Sequence, residues 1–173
     1  MIERVTIPPI GHYTIDPGRS RITFSGRHLF GLAPVRGGFA VNSGWVRVAD
    51  PITNSSAEAE IDAASFDTGN RQRDNEIRSK RFLNADRYPV IGFTSGHVRE
   101  SGGRWILEGV LTVHEVAKTI HLEIQRAGAT NGTFTARAST RIDRTEFGID
   151  AMVGLSGSTF ALVVDITAVR DSP

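Results

Sequence analysis

His28 is the first side chain in this sequence that could do chemistry. It follows Phe24 and Gly26 at alternating positions, so it shares their apolar face. A metal would need a second His or carboxylate at ligand spacing on that face, and none is there. A half-buried His bonded to a backbone carbonyl or a carboxylate is the simpler reading. His114 falls on the opposite parity from Leu111 and Val113, which predicts exposure. Glu115 beside it invites an acid–base pair, but adjacent strand residues point to opposite faces. His12, His97 and His121 read as surface residues. Arg71, Arg73, Arg78, Lys80 and Arg81 form a basic cluster relieved by Asp74 and Glu76. A solvated helix with an Asp74–Arg78 pair accounts for most of it. The alternative is that one or two arginines lean over an opening and hold an anionic head group by planar, bidentate donation. Asp143-Arg144 followed by Phe147-Gly148 reads as a structural ion pair with a Phe folding back as a plug. No nucleophile elbow, phosphate loop or dinucleotide fingerprint is present. No carboxylate pair is placed for acid–base work.

The elements that carry these residues alternate with period two. Ile22, Phe24 and Gly26 oppose Arg21, Thr23 and Ser25. The same rhythm returns from Val35 to Val41, from Ala57 to Ala63 and from Trp105 to Val113. It continues from Ile120 to Ile124, from Phe134 to Ile142 and from Phe160 to Ala168. Turn signals at Ser101-Gly102-Gly103, Gly128 to Gly132 and Gly154 to Gly157 separate these runs. Regular strands with one apolar face predict an all-β meander of antiparallel strands, closed into a barrel of about eight that could hold one small ligand. The rhythm fails from Ser65 to Phe93. Asp67-Thr68-Gly69 is a turn or helix-start signal, Arg71 to Arg78 holds good helix formers, and Pro89 ends the stretch. A short helical insertion, lying between Asn70 and Asp86, is predicted to plug or cover one end.

The inward faces mix Phe and Leu with very small residues: Gly26, Gly37, Gly109, Ala57, Ala59, Ala63, Ala136 and Ala138. Small residues can let layers pack closely in a filled core, or they can leave a tunnel lined by methyl groups and rings. Composition alone favours the filled core.

The insertion is also where a family resemblance begins. Asp67-Thr68-Gly69, Arg73-Asp74, Ile77-Arg78-Ser79, Phe82, Tyr88-Pro89 and Phe93 closely resemble the signature of the YceI-like family of polyisoprenoid-binding proteins. Tyr13 to Asp16 with Ser20 and Phe24, His28 followed by Gly38-Phe39, Gly109 to His114, and Ile142 to Ile149 resemble its other landmarks. The likeness runs from about Tyr13 to Val169. Two departures stand out. Glu115-Val116-Ala117-Lys118 replaces the family's usual Gly-x-Thr-Lys, and Leu83-Asn84 replaces a Phe-Asp.

The resemblance implies a lipocalin-like barrel over residues 13–173 behind an N-terminal extension, 1–12. It favours the tunnel over the filled core. It implies a carrier, not an enzyme, for a long-chain polyisoprenoid such as a prenyl quinone precursor or a polyprenyl phosphate. No cofactor or metal is expected; the lipid itself would be the ligand. The expected ligand-binding set is Phe24, His28, Phe39, Phe66, Arg73, Arg78, Phe82, Phe93, Leu111, Phe147 and Phe160. Two other classes stay open: an enzyme acting on an isoprenoid, with His28 and Asp74 or Asp143 as nominees, and a stress-response protein with a filled core.

Composition sets the outer bounds. The 173 residues suit one domain with a real core. Nine Phe against two Tyr and two Trp supply apolar surface with few hydroxyls to satisfy. A formal net charge of +1 gives no basic field for nucleic acid. The absence of Cys removes disulfides and thiol catalysis. The first residues do not read as a secretory signal, and no apolar run reaches transmembrane length, so a cytoplasmic location is expected. A second copy of the chain is a candidate partner.

Overall fold

The computed structural model describes residues 4–28, 33–151 and 158–172. Ten strand segments form one antiparallel sheet: β1 (Gly11–Ile15), β2 (Arg21–His28), β3 (Ala33–Phe39), β4 (Val41–Val48), β5 (Ser56–Asp62), β6 (Val90–Ser101), β7 (Arg104–Val113), β8 (Val116–Thr130), β9 (Thr133–Asp143) and β10 (Thr159–Arg170). The turn signal at Gly154 to Gly157 lies outside the described residues.

Ten segments make eight barrel strands. β1 and β2 are one strand interrupted at Pro17, which has no amide to give a ladder. The Asp16 carboxylate accepts the Gly18 amide there, and both halves still pair with β10, at Ile15–Ala168 and at Arg21–Asp165. β3 and β4 are likewise one strand broken at Ala40; they pair with β2 and β1 respectively. From β4 to β10 each strand pairs with the next in sequence. The return of β10 to β1 and β2 closes the sheet into an eight-stranded antiparallel barrel. Closure removes the unpaired sheet edges that would otherwise template association.

The predicted alternation holds along most strands and slips at three bulges, between Val41 and Ser43, Thr94 and His97, and Ile124 and Arg126. At the second, Ser95 is buried and its hydroxyl donates to the Glu108 carbonyl. At the third, the inward phase passes from Leu122 and Ile124 to Ala127.

The insertion carries a single α-helix, α1 (Arg71–Arg78), capped by the Asn70 side chain accepting the Arg73 amide at 3.0 Å. It is shorter than the polar stretch suggested. The chain leaves it at Ser79 and continues to Tyr88 as turns, with Asn84 in the left-handed region at φ 47°. The helix is not simply solvated. Asp74 is only 4% exposed and accepts the Thr68 amide and hydroxyl, with the Arg78 and Arg73 charges also acting on it. Burial pushes its carboxyl upward, but the bonds from Thr68 outweigh this and hold it below the ordinary carboxylate value. Asp74 thus ties α1 to the turn that precedes it.

Candidate functional site

The barrel encloses two apolar chambers of about 210 and 200 Å³ that share Ile22, Ile61, Leu111 and Leu162 on their walls. They lie end to end along the interior. One reaches the start of β7 at Trp105 and the later part of β8 at Ile124 and Ala127. The other reaches α1 and the 3-10 turn Arg144–Phe147. Each exceeds the ~150 Å³ at which an apolar cavity in a protein core stays dry and takes up a benzene.

The small inward residues divide into two groups. A Cβ on Gly26 would collide with the Phe160 ring, one on Gly37 with Phe24 and the Asp67 carbonyl, and one on Gly109 would sit 2.5 Å from Phe93. These glycines are already filled by the rings that lean over them. Ala57, Ala59, Ala136 and Ala138 instead line the first chamber. Ala63 is 1% exposed and belongs to the packed core. So close packing explains the glycines, while alanine methyls from two strands, β5 and β9, maintain the void.

The structure brings most of the expected binding set together. Phe24, Phe39, Phe66, Arg73, Phe82, Leu111, Phe147 and Phe160 line the second chamber, and Phe93 with Leu111 lines the first. Phe24 and Phe66 stack with centroids 5.0 Å apart, and Phe39 meets Phe66 edge-on. Phe147 is 2% exposed and does fold back as a plug. The arginines behave differently from one another. Arg73 donates from Nε to the Thr68 hydroxyl at 2.9 Å while standing on the wall. Arg78 is turned to the Phe66 carbonyl and to Asn75, off the chamber walls. His28 ends β2, and its side chain lies outside the described part of the structure.

Two parts of the site escaped the sequence. Arg144, read as a structural ion pair, is 8% exposed, stands on the second chamber's wall, and donates from Nη1 to the Ile149 carbonyl at 2.8 Å. Its guanidinium lies 5.4 Å from the centre of the Phe82 ring. Burial lowers its pKa, and the Asp143 and Asp150 charges pull it back up. Asp143 itself accepts the Thr145 hydroxyl and amide, which hold its carboxyl below the ordinary range. Both carboxylates nominated for acid–base work, Asp74 and Asp143, are thus held as hydrogen-bonded anions. Among the described residues no group of three His or acidic side chains could hold a metal ion. The second missed part is the N-terminal segment, where Val5 to Pro8 line the first chamber.

His114 corrects an expectation. It is not on a strand face but in the β7–β8 turn, at φ 57° with Glu115 at φ 67°. Both residues have left-handed backbone, as a two-residue hairpin turn requires. The turn swings the imidazole onto Tyr88, centroids 4.5 Å apart, and leaves Nε2 buried. The residue expected to be exposed is therefore partly covered. The departure Glu115 occupies a backbone conformation that glycine adopts without strain.

The model of the YceI-like domain matches residues 13–168. A UPF0312 protein of Vibrio parahaemolyticus is 31% identical over 149 residues, 81% of this chain and 78% of its own. A UPF0312 protein of Photorhabdus laumondii is 32% identical over 116 residues; that match covers 64% of this chain and 60% of the relative's length. Among solved structures, BcnA of Burkholderia cenocepacia superposes with a TM-score of 0.79 at 21% identity, covering 90% of this chain and 99% of that one. A polyisoprenoid-binding domain from Saccharophagus degradans, implicated in plant cell wall breakdown, superposes with a TM-score of 0.72 at 16% identity, covering 94% and 100%. At these identities the two structures establish the likeness of fold.

Proposed function

This chain belongs to the YceI-like family, and we propose that it binds and carries a polyisoprenoid lipid in its barrel, without chemical conversion. The observation that carries the reading is the pair of adjacent apolar chambers with shared walls. At ~24 cal/mol per Å³ of cavity, either chamber left empty would cost about 5 kcal/mol. That is a large share of the ~5–15 kcal/mol by which a domain is stable. A long apolar chain recovers the loss, at about 0.8 kcal/mol per buried methylene. A branched prenyl chain suits walls built from methyl groups and rings better than a polar ligand would. Arg73 and Arg144 stand on the wall at the helix end, which favours that end for an anionic or strongly hydrogen-bond-accepting head group, such as a phosphate.

Organic extracts of the purified protein test this by mass spectrometry. Near-stoichiometric prenyl lipid, or its uptake by stripped protein, is the expected result. A protein that carries none and takes up none would overturn the reading.

A further inference from the structure

Resting on that reading, we infer that the N-terminal strap, Arg4 to Pro9, is the stop that sets the longest chain this protein holds. β8 outlasts β7, whose pairing with it ends at Trp105–Ile124. Beyond that point Val5 takes the vacated place, lying parallel to Ala127. The Thr6 amide donates to the Ala127 carbonyl at 2.8 Å, and the Ala127 amide donates to the Arg4 carbonyl at 3.3 Å. The Tyr13 hydroxyl donates to the Pro9 carbonyl at 2.8 Å and fixes the far side. Between these attachments Pro8 is buried, and Val5, Ile7 and Pro8 form part of the first chamber's wall.

Three observations make this wall a length determinant. It closes the chamber farther from Arg73 and Arg144, so a chain anchored by its head at the helix end points its tail here. It is attached lightly, whereas the helix end is sealed by buried Phe66, Phe82, Phe147 and Ile149. And it lies before residue 13, outside the span that the family model matches.

Full-length protein and two variants are compared for binding of all-trans prenyl alcohols from geraniol to solanesol, by displacement of an apolar fluorophore. Thr6→Pro removes the donor to Ala127 without touching the barrel ladder. Val5→Phe adds bulk to the wall. In the unaltered protein affinity should rise with chain length and then fall at a limit. Thr6→Pro should improve binding of the first over-long alcohol by at least about tenfold, because even two additional buried methylenes suffice for that ratio. Val5→Phe should move the limit to shorter chains, with its loss of affinity growing with chain length. The same limit in all three proteins would overturn the strap's role while leaving the carrier reading standing. Failure of the unaltered protein to bind any prenyl alcohol would overturn both.

Discussion

Replacing Ala136 with Leu separates a chamber from a filled core by the sign of one number. Ala136 sits on β9 with its methyl on the wall of the first chamber, across the ladder from Ala127 and Ile166. Leu adds three carbons. If they enter real space, the ligand-free protein buries three more methyl or methylene groups, each contributing at most about 0.8 kcal/mol. Rotamer restriction and imperfect contacts reduce the sum, leaving a gain of roughly 1–2 kcal/mol. For a chain of this size that raises the midpoint of thermal unfolding by about 2–8 °C. If the interior were packed to ordinary density, the same carbons would force off-rotamer side chains and cost roughly 1–3 kcal/mol, lowering the midpoint. Stripped protein is melted with and without added prenyl alcohol. The expected variant melts higher when empty and gains less from ligand than the parent does, because the lipid's share of the void is already occupied. A variant that melts lower when empty, with ligand stabilisation unchanged, would refute the existence of the chamber at this position.

Glu115→Gly should stabilise the protein by about 1 kcal/mol in urea unfolding, because residue 115 is held at φ 67° where a Cβ is unfavourable. Gly109→Ala should lower stability and weaken lipid binding together, since its Cβ would stand 2.5 Å from Phe93 and drive that ring towards the first chamber; a melt and a binding titration on one sample check both. Asp74 has a folded-state pKa below its unfolded value, so its contribution is complete above about pH 4 and is lost as pH falls through the lower folded value. Asp74→Asn should therefore destabilise at neutral pH by about 1–3 kcal/mol and flatten the acid limb of the stability curve. Arg144→Met should preferentially weaken binding of a prenyl phosphate relative to the matching alcohol, measured as a ratio so that any general loss of packing cancels.

The barrel was legible because a closed antiparallel meander writes itself as period-two alternation, and nearly every strand keeps it. What the period could not show were the interruptions. A bulge inserts one residue and reverses the parity after it, so the inward side passes from Ser95 to Val98 and from Ile124 to Ala127. Pro17 splits one strand into two, and the inward phase passes from odd positions, Tyr13 and Ile15, to even ones, Ile22 and Phe24. His114 was misplaced because parity assumes a strand, and two left-handed residues make a turn there. The site divided along a similar line. The Phe residues were found because large inward apolar groups must meet somewhere in a barrel. Arg144 was missed as a chamber residue because a charged side chain beside Asp143 reads as an ion pair, and only the fold shows that its guanidinium also lies over Phe82 on the chamber wall.

The two ends of the barrel show why capacity and closure can be tuned separately. At the helix end the buried rings are held by an additional set of polar, specific attachments. Asp74 holds Thr68, Arg73 returns to the same hydroxyl, Arg78 reaches the Phe66 carbonyl, and Asp143 caps its turn. Loosening any one of these leaves a buried charge or backbone group unsatisfied, a penalty of about 1–3 kcal/mol or more, so that end resists change. At the strap end the wall is made by the apolar side chains of Val5, Ile7 and Pro8, hung from a few backbone bonds. Ile7 is already 54% exposed, while Pro8 is buried against the chamber. A substitution there can therefore alter the length of the void without disturbing the polar scaffold that holds α1 in place. Chain length and head-group preference should accordingly vary independently, the first with residues 4–9 and the second with Arg73 and Arg144.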